Sequence, residues 1–173
     1  MKVCITFPNS NLLVRSKALE AISSFLNFEG WDVYNENYRG FDSQDKFFTA
    51  ILNEYRSVIN DDRVTDVLII GEGYGGIFAH LLGSIHSENT VLLNPEFETD
   101  DMSIQKLLKS TSRCSGDCLS ILVDEHIDMN EHEMVMNVST GLRLLGSDWD
   151  PVTVAHMVQD FAESHDISQQ LIQ

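Results

Sequence analysis

Basic residues are scarce in this chain of 173 residues. Lysine and arginine together number 11, against 27 aspartates and glutamates, which gives a formal net charge of −16. A surface of that sign repels phosphate backbones and anionic membrane surfaces, so we expect neither a nucleic acid nor a membrane as partner. An excess of acidic residues is typical of a soluble surface, and it would suit a basic protein partner if the carboxylates cluster on one face.

Cysteine is equally scarce, and long hydrophobic runs are missing. The three cysteines, Cys4, Cys114 and Cys118, are an odd number without a secretion signal before them, which argues against a disulfide framework. The first apolar run, residues 3–7, is too short for a signal peptide or a membrane span. We therefore expect a cytoplasmic protein. Cys114 and Cys118 also lack the second pair that would complete a zinc site.

The chain contains many short apolar runs. They alternate with segments in which apolar residues have helical spacing. This alternation predicts parallel strands joined by crossover helices. We expect one α/β domain over residues 1–173, a three-layer sandwich with a mostly parallel sheet of about five to six strands and helices on both faces. The predicted strands are Val3–Phe7, Trp31–Tyr34, Val67–Ile70, Thr90–Leu93, Leu119–Val123 and Gly141–Leu145. The predicted helices are Ser16–Asn27, Ser43–Ile59, one from about Gly76 to His86, Ser103–Lys109, a short one ending near Ser139, and Pro151–Ser164.

A glycine-rich turn directly follows the central apolar strand and opens a helix. Parallel sheets bind their ligands at this edge. As a G-x-G-x-x-G pattern, Gly71, Gly73 and Gly76 would hold the pyrophosphate of a dinucleotide through backbone N–H groups, and Glu96 would accept the ribose hydroxyls. Glu72 would then bring a negative charge beside the phosphates, which disfavours this interpretation.

The same turn also aligns with the nucleophile elbow G-x-S-x-G of hydrolases. Gly71 and Gly75 then take the two glycine places, and Gly73 takes the place of the nucleophilic serine. In this alignment both glycines of the turn are present, but the serine hydroxyl is missing. The backbone N–H of Tyr74 could still help to bind an oxyanion.

The order of segments resembles the small single-domain bacterial esterases of the YqiA type, a compact branch of the α/β-hydrolase superfamily. The resemblance covers most of the chain. It is carried by Phe-Pro-Asn-Ser-Asn at 7–11 with Arg-Ser-Lys-Ala at 15–18, by the strand and turn at 68–76, by Val-Leu-Leu-Asn-Pro at 91–95, and by Val-Asp-Glu-His-Ile-Asp at 123–128.

The resemblance implies an α/β-hydrolase fold without a lid domain and a triad that is degenerate here. Its nucleophile falls on Gly73, its acid on Asp124 and its histidine near Trp149, while its oxyanion loop falls on Pro8 and Asn9. Pro8 has no N–H to donate. Losing the serine or histidine of a triad lowers kcat by about a million-fold, so ordinary triad hydrolysis is not expected.

We therefore expect a catalytically inactive protein, a pseudo-esterase that binds a protein partner or a small ligand without a cofactor. The cleft expected from the resemblance comprises Pro8, Asn9, Ser10, Gly73, Tyr74, Asp124, His126 and Trp149.

Other chemistry remains open at this point. A weak ester or thioester hydrolase would need a substitute nucleophile, for which Ser10, Tyr74 and Cys4 are the candidates, with His126 as a base. A metal cluster would draw on Asp124, His126, Asp128, Glu131 and His132, but these follow no recognised ligand pattern, so we predict no metal site. Trp31 and Trp149 could stack on a ligand, although packing explains most tryptophans.

Overall fold

A six-stranded parallel sheet runs through the molecule. The computed structural model describes residues 1–9, 16–38, 41–111, 116–123, 133–146 and 148–172, with the backbone alone for residues 164–172. Every strand pairs with its neighbours in parallel, in the order β2-β1-β3-β4-β5-β6, which confirms the predicted sheet. The strands are β1 (Lys2–Phe7), β2 (Trp31–Asn35), β3 (Asp66–Glu72), β4 (Asn89–Leu93), β5 (Cys118–Val123) and β6 (Gly141–Leu145).

Helices cover both faces of this sheet. They are α1 (Lys17–Phe28), α2 (Gln44–Ile59), α3 (Gly75–His86), α4 (Met102–Ser110), α5 (Glu133–Val138) and α6 (Pro151–Ile172). The side chains of Ser16 and Ser43 accept hydrogen bonds from backbone N–H groups in the first turns of α1 and α2, which fixes where these helices begin. Helix α6 continues to Ile172, whereas its periodicity predicted an end near Ser164. No helix in the described ranges is long and apolar enough to cross a membrane.

The core is divided between the two faces by the alternation of side chains along each strand. On one face Val3 and Ile5 pack against the helices α2, α3 and α4. On the other face Cys4 and Leu68 pack against α1 and α6. Trp31 is 6 % exposed and belongs to this second cluster, so it is a core residue and does not stack on a ligand.

The parallel arrangement brings the ends of neighbouring strands to one edge of the sheet. β1, β3 and β4 lie side by side, so the segments that follow Phe7, Glu72 and Leu93 leave the sheet next to one another. β5 lies on the far side of β4 and adds Val123 to the same edge. Residues that are distant in the sequence therefore meet beside the glycine-rich turn.

Candidate functional site

Gly73 forms the apex of the turn between β3 and α3. Its φ of +56° lies in the left-handed region, which glycine adopts without the cost that a Cβ would bring. Its N–H donates to the carbonyl of Leu93 at 2.9 Å, and its own carbonyl accepts from the N–H groups of Gly76 and Glu96, both at 3.0 Å. The N–H groups of Gly73 and Gly76 are thus used inside the protein, which counts against the dinucleotide interpretation.

Asn9 lies over this apex. A Cβ built on Gly73 would come within 2.7 Å of both Cγ and Nδ2 of the Asn9 side chain. The Oδ1 atom of Asn9 is buried and has no hydrogen-bond partner among the described residues. The space into which a nucleophilic side chain would project is therefore filled by an amide, a contact that no local pattern in the sequence indicates.

A second close approach fixes the start of α3. A Cβ on Gly75 would lie 2.3 Å from the carbonyl oxygen of Phe7 and 2.5 Å from that of Pro8. The Pro8 carbonyl also accepts a hydrogen bond from the Tyr38 hydroxyl at 2.6 Å. Pro8 therefore contributes a buried backbone contact between the loop after β1 and its neighbours.

A cavity of about 260 Å³ opens beside the turn. Of the expected cleft residues, Asn9, Gly73 and Trp149 line it, while Pro8 and Tyr74 do not. Ser10, Asp124 and His126 lie outside the described residues. The walls are formed by Asn9, Ser16, Ala18, Glu72, Gly73, Leu93, Asn94, Glu96, Ile121, Val123, Trp149 and Val154.

Glu72 and Ser16 form a hydrogen-bonded pair in the wall of this cavity. The Ser16 hydroxyl donates to Oε2 of Glu72 and accepts the Leu19 N–H at 3.1 Å, so it caps α1 and holds the carboxylate at once. Burial raises the pKa of Glu72, and the hydrogen bond from Ser16 opposes part of that rise. The two residues are 56 positions apart, and nothing local in the sequence pairs them.

Glu96 and Trp149 extend the cavity lining. The exposed Glu96 lies near the Tyr74 hydroxyl, and this carboxylate, as an acceptor and as a negative charge, raises the pKa of Tyr74. Trp149 is half-buried against the helices α1 and α6, and its backbone N–H donates to the carbonyl of Gly146 at 3.2 Å. The Tyr74 phenol is thus made harder to ionise, which weakens it as a substitute nucleophile.

Cys4, the other substitute nucleophile that the structure describes, lies in the core. It is fully buried in β1, and burial raises the pKa of its thiol far above the usual range. No group of three or more His, Cys, Asp or Glu that could hold a metal occurs among the described residues. Asp124, His126, Asp128, Glu131 and His132 lie outside those residues, and so does Cys114.

A family relationship can be read from the sequence itself. A model of the family described as "Uncharacterised protein family (UPF0227)" matches residues 23–167. The chain belongs to this family. No curated protein sequence matches it significantly.

Solved esterases share the fold of this family member. Est1E from Butyrivibrio proteoclasticus, solved with ferulic acid bound, superposes with a TM-score of 0.71 at 14% identity over 100% of this chain and 90% of its own. An esterase domain of a Rhodothermus marinus protein gives 0.66 at 11% identity, covering 93% of this chain and 86% of its own. A predicted CIB-like hydrolase from Thermoplasma acidophilum gives 0.60 at 14% identity, covering 94% and 84%.

These likenesses establish the α/β-hydrolase fold of this UPF0227 member and confirm the expected resemblance to YqiA-type esterases. At such low identity they establish the fold alone. The site on this fold must therefore be interpreted from the residues that it contains.

Proposed function

We propose that this UPF0227 member is a catalytically inactive α/β-hydrolase-fold protein that binds a small ligand in the cavity beside Gly73. The observation that carries the proposal is that the space beside Gly73, at the apex of the turn, is occupied by another side chain. Gly73 offers no side chain, and the amide of Asn9 takes the space that a nucleophile would need. The cavity of about 260 Å³ remains beside it, close to the size at which ligand pockets begin.

The composition of the cavity lining also supports binding over triad hydrolysis. At the position where the family resemblance expects the histidine lies Trp149, and the described lining contains no imidazole. Hydrolysis by a triad requires a base within hydrogen-bond reach of the nucleophile. We propose a cytoplasmic location, supported by the scarcity of cysteine and the full burial of the Cys4 thiol.

A protein partner is a second candidate, supported by the uncompensated acidic surface. The chain carries 27 acidic residues, while the described residues contain two ion pairs, Lys46 with Asp42 and Arg63 with Asp61. Most of the described carboxylates are therefore not neutralised by these two ion pairs, and a basic partner could pair with them. This candidate predicts a complex that weakens as salt concentration rises, because salt screens exposed charges.

The alternative of a weak ester or thioester hydrolase would need a nucleophile other than the residue at the apex. In the described cavity the hydroxyl with a carboxylate partner belongs to Ser16, which donates to Glu72. The same Ser16 oxygen also accepts the Leu19 N–H as a helix cap, so attack on a carbonyl would cost that cap. A fluorophosphonate probe that labels Ser16 would support this alternative.

Turnover measurements test the proposed function directly. The purified protein is assayed against short-chain p-nitrophenyl esters and acyl thioesters, together with Asp124→Ala, the variant at the family's acid position. We expect no turnover above that of a denatured sample. Turnover that Asp124→Ala abolishes would show a working triad and overturn the proposal.

A further inference from the structure

The ligand cavity has a marked bias in charge. Two carboxylates, Glu72 and Glu96, belong to its lining, and no lysine, arginine or histidine occurs among the described lining residues. The whole chain carries a formal charge of −16, so the surrounding field has the same sign as these carboxylates. Such a field raises the local concentration of cations and lowers that of anions.

A hydroxyl group holds the more buried of the two carboxylates in place. The Ser16 hydroxyl donates to Oε2 of Glu72. A hydroxyl donor orients a carboxylate without neutralising it, unlike the guanidinium or ammonium group of an ion pair. The negative charge is therefore fixed in position and remains available to a ligand that brings a positive charge.

Apart from the amides of Asn9 and Asn94 and the hydroxyl of Ser16, the rest of the lining is apolar or aromatic. Leu93, Ile121 and Val154 belong to the core beneath the cavity, and Trp149 packs against the same cluster. An aromatic face attracts a cation as well as an apolar group. The lining thus combines a fixed negative charge with a surface for a small hydrophobic body.

From this combination we propose that the cavity takes a small organic ammonium ion, with the charged nitrogen at Glu72 and its apolar body against Trp149. A carboxylate or phosphate ligand would meet two like charges, and a neutral alcohol would leave the Glu72 carboxylate without a cationic partner. The inference rests on the proposed function, because it assigns a ligand class to the same cavity.

A matched series of three probes tests the charge preference. Phenethylammonium, 2-phenylethanol and 3-phenylpropanoate share an aromatic ring and differ in charge, and isothermal titration calorimetry at low salt gives the Kd of each. We expect the ammonium ion to bind at least about tenfold more tightly than the alcohol, as for hydrogen bonds to charged groups, and the carboxylate to bind most weakly. Equal affinities, tighter binding of the carboxylate or no measurable binding of the ammonium ion would overturn the proposal.

Two charge-matched variants locate the site. Glu72→Gln removes one of the two carboxylate charges of the cavity and keeps an acceptor for Ser16, while Glu29→Gln removes one exposed charge at the far end of α1. We expect Glu72→Gln to weaken phenethylammonium binding about tenfold and Glu29→Gln to change it less than twofold. Equal losses would show a general charge effect and overturn the proposal. Ester turnover on the same samples is a separate readout, so the failure of the inactive-scaffold proposal and that of the ligand class can be distinguished.

Discussion

A methyl group added at Gly73 tests whether the Asn9 amide fills the space beside the apex of the turn. At a φ of +56° a residue with a Cβ costs about 1–2 kcal/mol relative to glycine. The new Cβ would lie 2.7 Å from Cγ of Asn9, and overpacking of this kind costs about 1–3 kcal/mol. We therefore expect Gly73→Ala to lower the free energy of unfolding by about 2–5 kcal/mol.

Removing the Asn9 amide separates these two contributions. Asn9→Ala alone should cost little, because the buried Oδ1 has no partner to lose among the described residues. In the double variant the steric conflict is absent and the backbone contribution of about 1–2 kcal/mol remains. The double variant should therefore be more stable than the sum of the single changes by about 1–3 kcal/mol.

Equilibrium urea denaturation followed by circular dichroism measures all four proteins of this cycle, with the m-value as a check on two-state behaviour. Gly75→Ala is the matched control, since its Cβ would meet the backbone oxygen of Phe7 at 2.3 Å and Asn9→Ala cannot relieve that contact. The reasoning is refuted if the changes at Gly73 and Asn9 are additive within about 0.5 kcal/mol. It is also refuted if Asn9→Ala rescues Gly75→Ala equally well.

Three further predictions concern catalysis and pH. Gly73→Ser combined with Asn9→Ala should hydrolyse p-nitrophenyl acetate no faster than wild type, because the described lining supplies no imidazole, and a pre-steady-state burst would contradict this. Burial raises the pKa of Glu72, so ionisation of its carboxyl group destabilises the folded state. The free energy of unfolding of Glu72→Gln should therefore rise relative to that of wild type between pH 4 and pH 7. A difference in urea midpoints that stays constant over this range would contradict the prediction. His80 is fully buried with Nε2 bonded to the Thr111 carbonyl and Nδ1 without a partner among the described residues, and burial lowers its pKa. Protonation of His80 therefore favours the unfolded state below about pH 6.5. In the same urea assay His80→Gln should lose less stability than wild type between pH 7 and pH 5. Parallel stability–pH profiles of the two proteins would contradict this prediction.

The fold could be predicted from the sequence because its periodicities are local. Each strand is an apolar run of a few residues, and α1 and α2 begin within one residue of the predicted starts at Ser16 and Ser43. The six predicted strands all exist, and each boundary lies within two residues of the expected position. The end of α6 was missed because residues 165–172 carry no clear apolar face, so the pattern gave no reason to continue the helix.

The candidate site was only partly predictable, because its decisive contacts join distant residues. The sequence identifies Gly73 as the residue at the apex but not the amide of Asn9 above it. It shows Glu72 only as a charge unsuited to phosphate, whereas the fold pairs Glu72 with Ser16 across 56 positions and makes it part of a cavity. Contacts of this kind follow from the register of neighbouring strands, which a single sequence does not reveal.

The two glycines at the turn are required for different physical reasons, and this explains why the motif predicts shape better than chemistry. Gly75 is needed because the backbone oxygen of Phe7 approaches it so closely that α3 could not pack there with a Cβ. Gly73 is needed because its φ is positive and Asn9 occupies the adjacent space. Neither requirement involves a reacting atom. Packing alone therefore explains why both glycines are needed in this turn, and the chemistry of the cavity must be inferred from Glu72 and Trp149 instead.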